Sequence, residues 1–326
     1  MPEIESPVTT LVRLLQHSVR VANDDGSLAA VYVSPQWYDR ELLRNYDAQV
    51  TVGLDRSDDE KIGFSGSLRR RVVSFRVSVW TVDKPEQGVV GRRTRDKTRS
   101  EVDRVIREKR AKPNETIYSF YGVGPSAGSH RAFHAASTSE LPPDSVSWSE
   151  LASGDYENLW ASDDNRYSRS ANVNLQYALV LFRFKIDSER SVAKSVVLTF
   201  EGYGTAPAGN GVTVKVWNRV ASEWQLVQTG TGGDDESFTV AVSSSVADFI
   251  DSDGYVHLLA RTTNASDGVV PAVLFCDYVE CVVTVEGITY VDVVSFRDED
   301  QVNVKPFVWR TEFTVKSWLF ENVTAT

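Results

Sequence analysis

The sequence predicts a discontinuous α+β domain into which an all-β sandwich is inserted. Three observations support this fold class. The first 120 residues alternate between helical and strand-like periodicity, short strand-like segments follow one another from residue 153, and residues 305–320 alternate apolar and polar residues. A lone strand is unstable, so the last segment needs a sheet formed elsewhere in the chain. We therefore expect domains at 1–125 plus 288–326 and at 153–287, with a linker at 126–152.

The composition is that of a globular protein. The chain has 326 residues, of which 41% are hydrophobic and 25% charged, so it is not wholly disordered. No run approaches the ~20 apolar residues of a membrane span. The first residues are acidic and lack the apolar core of a secretory signal, so we expect no targeting segment. Cys276 and Cys281 lie an odd number of residues apart, which predicts two buried free thiols on opposite strand faces.

Charge is distributed unevenly along the chain. The net charge is −10, divided into +3 over residues 1–125, −11 over 126–286 and −2 over 287–326. Segments that differ this much indicate more than one module.

The N-terminal segment reads as a helix, three strands and a second helix. Residues 7–19 place Leu11, Leu14 and Leu15 at helical spacing, and residues 70–82 alternate as a long half-buried strand. Shorter strands are expected at 29–34 and 48–54. The second helix is expected to start at Ser100, which can cap it, and to end before Pro113.

A basic loop is expected just before that second helix. It contains Arg92, Arg93, Arg95 and Lys97 within a segment, 92–112, of net charge +6. The segment can be interpreted as a nucleic-acid surface, as a solvated helix face or as a subunit contact built from Arg side chains. No aromatic residue interrupts the basic run, which weakens the single-strand-binding interpretation. We assign Arg92, Arg93, Arg95 and Lys97 to contacts with partner proteins.

Motifs for catalysis or metal binding receive little support. Residues 124–128 match G-x-S-x-G but lie in a loop-like run, and His130 and His134 lack a third ligand. We therefore expect no enzyme, no catalytic residue, no cofactor and no metal. Clustered carboxylates suit calcium, but turns and helix caps also explain the acidic residues concerned, which are Asp163, Asp164, Asp251 and Asp253.

The middle of the chain resembles a known family. Its segments include "SDDNRY" at 162–167, "VTVKVWNRVASEWQLV" at 212–227 and "FCDYVECVVTV" at 275–285. Together with "LTFEGYG" at 198–204 and "VADFIDSDGYVHLLART" at 246–262, they resemble the galactose-binding-like jelly roll of carbohydrate-binding modules. The resemblance implies a glycan site, for which Trp217 and Trp224 are the candidates. Core packing of these two aromatic residues is the alternative.

The outer domain resembles the tail-terminator (tail-completion) proteins of tailed viruses. The residues that carry this resemblance are "VSPQWYDRELLRNYDAQVTVGL" at 33–54, "RRRVVSFRVSVWTVDK" at 69–84 and "TRSEVDRVIREKRAKPN" at 98–114. It implies a virion protein, assembled in the host cytoplasm, that forms a ring and is usually a hexamer. The ring caps the tail tube and joins it to the head connector, while double-stranded DNA passes through the lumen.

Few Lys residues and many carboxylates are compatible with a halophilic archaeal host, and a GC-rich genome gives the same bias. The alternative function is a glycan-binding adhesin, or a minor tail protein for host attachment, that uses the sandwich to bind a host-surface glycan. Neither function involves a membrane.

Overall fold

A computed structural model describes residues 3–23, 25–35, 37–62, 68–84, 86, 90–300 and 305–322. The chain divides into two compact units. The sandwich unit comprises Ile117–Val285 together with Glu3, and the outer unit comprises Ile4–Thr116 with Glu286–Thr326. Both units are rich in β-strands.

The regular elements follow in chain order. They are α1 (Pro7–Ser18), β1 (Val31–Ser34), α2 (Leu42–Asn45), β2 (Ala48–Ile62), β3 (Leu68–Val82), α3 (Gly91–Glu108), β4 (Glu115–Ser119), β5 (Arg131–Ser137), β6 (Ser149–Glu150), β7 (Tyr167–Ala171), β8 (Tyr177–Lys185), β9 (Ala193–Thr205), β10 (Val212–Asn218), β11 (Glu223–Thr229), β12 (Glu236–Val242), β13 (Tyr255–Thr262), β14 (Ala272–Val285), β15 (Tyr290–Asp298) and β16 (Val308–Asn322). Short 3₁₀ helices occupy Ser153–Asn158 and Val246–Phe249. No helix in these described ranges is long and apolar enough to cross a bilayer.

The outer unit is built on a five-stranded sheet in the order β1-β2-β3-β16-β15. As the sequence predicts, the C-terminal strand completes this sheet, since β16 pairs antiparallel with β3 from Val308↔Val82 to Asn322↔Leu68. Helices α1 and α3 contribute apolar side chains to the core on one face of the sheet. That core includes Leu11, Leu14, Val102, Val105, Ile106, Val50, Phe75, Val77, Phe313 and Val315.

The basic loop expected before α3 is wrong, because α3 begins at Gly91 and includes all four candidate basic residues. The start of this helix is fixed by tertiary contacts. Asp83 Oδ1 accepts hydrogen bonds from the Gly91 N–H and from Trp309 Nε1, each at 2.8 Å. A Cβ on Gly91 would lie 2.7 Å from Trp309 Cδ1, so the helix start is packed tightly against β16. Ser100 lies inside the helix, where its hydroxyl donates to the Asp96 carbonyl oxygen.

The sandwich unit consists of two antiparallel sheets around one core, so the predicted β-sandwich is confirmed at this level. One sheet has the order β11-β10-β13-β8-β5-β6, and the other has the order β12-β9-β14-β4, with β7 also paired to β14. The structure differs from the predicted linker at 126–152. Strand β5 lies inside that range and pairs with β8 from Arg131↔Arg183 to Ser137↔Tyr177.

A β-bulge in β14 changes which residues face the core. Cys276 pairs with Gly202 and Tyr278 pairs with Glu201, so Asp277 is the extra residue. Cys276 and Cys281 therefore both enter the hydrophobic core, and the expectation that they face opposite ways is wrong. Both are free and buried, as predicted. Burial raises the pKa of each thiol well above its ordinary value.

Candidate functional site

The four candidate basic residues lie in the first two turns of α3 but have different surroundings. Arg92 and Arg93 are exposed. The Arg92 guanidinium lies 5.9 Å from the centroid of the Trp309 ring. Lys97 is half-buried and donates a hydrogen bond to the Ala22 carbonyl oxygen at 2.9 Å. Arg92 and Arg93 are therefore the members of this set that remain accessible to a partner.

Arg95 is not an exposed partner-binding residue, and its assignment is wrong. Its side chain is only 2% exposed. It forms ion pairs with Asp300 at 2.5 Å, Asp96 at 2.8 Å and Asp298 at 3.5 Å. The helical periodicity turns Arg95 inward, and the carboxylates that neutralise it come mainly from the end of β15 and the residues after it. Arg95 thus stabilises the outer unit itself.

Trp217 and Trp224 form a cross-strand pair in the hairpin of β10 and β11. Their rings meet edge to face with centroids 5.1 Å apart, and both residues are half-buried. Trp224 Nε1 donates to the Leu141 carbonyl oxygen at 3.0 Å. Trp217 does face away from the core valines of β10, as its position in the strand predicts. The indole N–H of Trp224, however, already donates its hydrogen bond to an acceptor within the chain.

The segment around Leu141 is anchored to the same sheet by charge. Glu140 forms ion pairs at 2.7 Å with Lys215 of β10 and with Arg261 of β13. These cations hold the pKa of Glu140 below its ordinary value, against the opposing effect of its burial. The two tryptophans thus help to hold residues 140–141 against the sheet. This contact leaves less of their aromatic surface available to a sugar ring.

The acidic residues considered for calcium do not come together as one group. Asp251 accepts hydrogen bonds from the Tyr255 N–H at 2.7 Å and from the Asp253 N–H at 2.9 Å, and its Oδ2 lies 2.9 Å from His257 Nε2. Asp163 accepts from the backbone and the side chain of Asn165, each at 3.1 Å. The carboxylates of Asp251 and Asp163 therefore serve as hydrogen-bond acceptors within their own turns.

Asp164 instead joins two residues that the sequence did not single out, Asp235 and Asp277. One carboxylate oxygen from each of the three lies within 4.8 Å of the others. We call these residues the acidic trio. Asp277 is 2% exposed, and burial followed by the nearby charges of Asp235 and Glu201 raises its pKa. Asp235 was missed because it immediately precedes a strand in a polar turn. Asp277 was missed because only the bulge in β14 turns it away from ordinary strand alternation.

Arg166 is the cation of this region. Its Nη2 lies 2.5 Å from Asp235 Oδ2 and 2.6 Å from Asp164 Oδ1, and its Nε donates to Asp235 Oδ2 at 2.8 Å. The Oδ1 atoms of Asp235 and Asp277 are buried and accept no hydrogen bond from the described residues. Two carboxylate oxygens of the trio are therefore buried away from water and have no hydrogen-bond donor among the described residues.

The outer unit carries an exposed strand edge, which we call the β-arm and define as residues 53–60 of β2 with 69–76 of β3, the latter being paired on its other side with β16. Strand β1 pairs only with Ala48–Thr51, so in the described residues this part of β2 has a neighbouring strand on one side only. Residues 53–60 are exposed without exception. Ion pairs cross the arm between Asp55 and Arg76 and between Asp59 and Arg71.

An aromatic groove of about 710 Å³ lies at the base of the β-arm. Tyr38 stacks on Trp80 with ring centroids 4.5 Å apart, and the Arg310 guanidinium lies 4.6 Å from the Trp80 ring centroid. Trp37 also lines the groove and is 90% exposed. Leu54 and Arg76 of the arm complete the wall. The groove thus combines exposed aromatic surface with fixed charges.

Comparison with known proteins gives one family match. A family described as "Uncharacterized protein, C-terminal domain" matches residues 129–285, which lie within the sandwich unit. None of the curated proteins matches the chain.

Solved structures give only weak likenesses. The enzymatically active domain of tailspike protein 4 of bacteriophage CBA120 is 10% identical with a TM-score of 0.22, over 52% of this chain and 19% of the tailspike chain. The top component of cowpea mosaic virus is 11% identical with a TM-score of 0.20, over 51% of this chain and 78% of the viral chain. Scores this low establish no shared fold.

Proposed function

We propose that the chain is a structural virion protein that assembles into a closed ring of about six copies, the commonest ring size implied by its resemblance to tail terminators. In this proposal the ring lies at the head–tail junction of a tailed virus. It ends the tail tube, contacts the tube protein and the head connector, and lets DNA pass through its lumen. The chain acts by assembly and not by catalysis.

The observation that carries the proposal is the pairing of an exposed β-arm with an aromatic groove in the same unit. A ring needs two different surfaces on each protomer, one of which receives the other from the neighbour. The arm supplies an exposed strand edge, and the groove at its base supplies apolar area and the charges of Arg76 and Arg310. Trp37, at 90% exposure, is the kind of aromatic residue that protein interfaces bury.

The charges of the β-arm suit exchange between subunits. The four arm residues of its two cross-strand ion pairs, Asp55, Asp59, Arg71 and Arg76, have side-chain exposures of 34% to 52%. Exposed pairs of this kind are each worth about 0–1 kcal/mol, so they can re-form with a neighbouring copy at little cost. The same charges prevent indiscriminate pairing of the strand edge.

The accessible basic residues Arg92 and Arg93 are candidates for contacts with the tail tube or with a neighbouring subunit, since Arg side chains suit carboxylate partners. Residues 126–286, which make up most of the sandwich unit, carry a net charge of −11, whereas the rest of the chain is close to neutral. Because such a surface repels DNA, we place it on the outside of the ring.

The glycan-binding alternative receives less support. Trp224 uses its indole N–H on Leu141, and the two tryptophan rings meet edge to face instead of forming one flat platform. A sugar usually stacks on an exposed aromatic face, and here both rings are half-buried.

Light scattering of the full chain, at low and at molar salt, tests the assembly proposal. We expect a defined oligomer, and high salt can be needed to screen the net charge of −10. Trp37→Ala should lower the oligomeric fraction at a fixed protein concentration by at least tenfold. Val146→Ala is the matched control, because Val146 is also a fully exposed apolar residue but lies in the other unit. An equal effect of both variants would contradict the groove as the contact surface.

A further inference from the structure

We propose that the acidic trio Asp164, Asp235 and Asp277 binds one calcium ion that ties two loops of the sandwich unit to strand β14. This proposal is independent of ring assembly, since it concerns how one unit holds its own segments together. It rests on the geometry of the three carboxylates and on two oxygens that the protein leaves unpaired.

The spacing of the carboxylates fits one shared ion. An oxygen atom from each residue lies within 4.8 Å of the other two. Two oxygens that bind the same calcium ion at 2.3–2.6 Å can be at most about 4.6–5.2 Å apart. The three oxygens are therefore close enough for small side-chain movements to bring them onto one ion.

The buried oxygen atoms provide the second, independent observation. Asp277 is 2% exposed, and its Oδ1 has no hydrogen-bond donor among the described residues. Asp235 Oδ1 is likewise buried without a donor. Its other oxygen is held by Arg166, which fixes the orientation of the carboxylate and leaves Oδ1 free. A carboxylate oxygen withdrawn from water without a partner is costly, and a cation would remove that cost.

A different feature of the backbone positions each of the three residues. Asp277 is the extra residue of the β14 bulge, so its side chain leaves the normal alternation of the strand. Asp164 adopts a left-handed conformation with φ 66° in the loop before β7. Asp235 immediately precedes β12. Strands β7, β14, β9 and β12 belong to one sheet, so an ion here would connect the segments that precede β7 and β12 to the interior of β14.

The charge favours a divalent ion. The trio carries −3 when ionised, and Arg166, which forms ion pairs with two of its members, contributes +1. The remainder of −2 matches Ca²⁺. Calcium accepts several protein carboxylates with flexible geometry, whereas magnesium keeps most of its water and usually takes one or two carboxylates. The donor set therefore points to calcium.

Calorimetric titration and thermal unfolding of the full chain test the site. The protein is first dialysed against a chelator and then titrated with calcium chloride. We expect one calcium ion per chain and a rise of several degrees in the unfolding temperature, because a ligand that binds only the folded state stabilises it. Magnesium chloride at the same concentration should give a clearly smaller rise. An equal response to magnesium would overturn the assignment to calcium.

Two variants and a matched control make the outcome specific. Asp277→Asn keeps the size of the side chain and removes a buried charge, so the metal-free variant should be at least as stable as the metal-free parent. It should lose at least 90% of the calcium-induced temperature shift, as should Asp235→Asn. Asp234→Asn removes an exposed carboxylate next to the trio and should keep the full shift. The proposal is overturned if the parent shows no shift at millimolar calcium, or if Asp277→Asn and Asp235→Asn both respond like the parent.

Discussion

Arg95 illustrates how a single charged side chain can belong to the interior of a domain. It is 2% exposed and lies among Asp96, Asp298 and Asp300, so its desolvation is balanced by three carboxylates. In sequence it is indistinguishable from Arg92 and Arg93, since all three belong to one basic run. Only the rotation of α3 against the sheet separates the buried Arg from the exposed ones.

Replacement of Arg95 should therefore destabilise the outer unit. For Arg95→Ala we expect a loss of roughly 2–4 kcal/mol in the free energy of unfolding, because Asp300 loses the cation that neutralises it and Asp96 and Asp298 keep only Arg99. Arg104→Ala is the control on the same helix. Arg104 is 53% exposed, and its pairs with Glu101 and Glu108 should contribute less than about 1 kcal/mol. Urea unfolding followed by circular dichroism measures both losses, and equal losses would refute the distinction.

His257 should make the stability of the sandwich unit depend on pH. It is 3% exposed, and burial lowers its pKa, with Arg183 acting in the same direction and Asp251 opposing it. The unfolded chain takes up a proton near pH 6.5, whereas the folded chain does so only at lower pH, so stability falls as the pH drops below about 6.5. His257→Gln should flatten this dependence between pH 7 and 5 in urea unfolding. His134, whose pKa burial also lowers, should supply part of the remaining slope. An unchanged slope in the variant would contradict this role.

The bulge in β14 shows how one element can alter both packing and chemistry. One additional residue at Asp277 brings Cys276 and Cys281 to the same core face and directs the aspartate toward the acidic trio. The alternation of apolar and polar residues in the sequence cannot reveal this change in side-chain direction, because a bulge is a property of strand pairing. The same alternation did identify β3 and β16, in which apolar and polar residues alternate over long stretches.

Gly202 faces this bulge and should be sensitive to any side chain. A Cβ there would lie 2.2 Å from the Phe275 carbonyl oxygen, a backbone atom that cannot turn aside. We expect Gly202→Ala to cost roughly 1–3 kcal/mol of stability through overpacking. Gly154→Ala, where a Cβ would meet no atom within 4 Å, should change stability far less. Thermal unfolding of the two variants compares them, and a neutral Gly202→Ala would show that the bulge can relax.

At the scale of whole elements, long-range contacts explain what the sequence did not predict. The start of α3 is set by Asp83, which immediately follows β3, and by Trp309 of β16. The sequence predicts a linker where β5 lies, because the flanks of this strand are rich in Gly, Ser and Pro, although Arg131–Ser137 pairs fully with β8. Local composition is a weak guide when the pairing partner lies tens of residues away.

At the scale of the molecule, the general architecture followed from the sequence more readily than the sites did. A final strand with no partner nearby required a sheet from earlier in the chain, and β16 pairs with β3 over its whole length. The acidic trio assembles from residues 164, 235 and 277, which share no motif. Sites of this kind depend on where loops meet in space, and spacing along the chain does not encode that.

The most direct test of the assembly proposal is electron microscopy of the purified full chain in negative stain, at low and at molar salt. The proposal predicts closed rings of about six copies with an open centre, because a heterologous contact that closes on itself makes a ring. Single particles the size of one chain under both conditions, or open filaments of indefinite length, would contradict it.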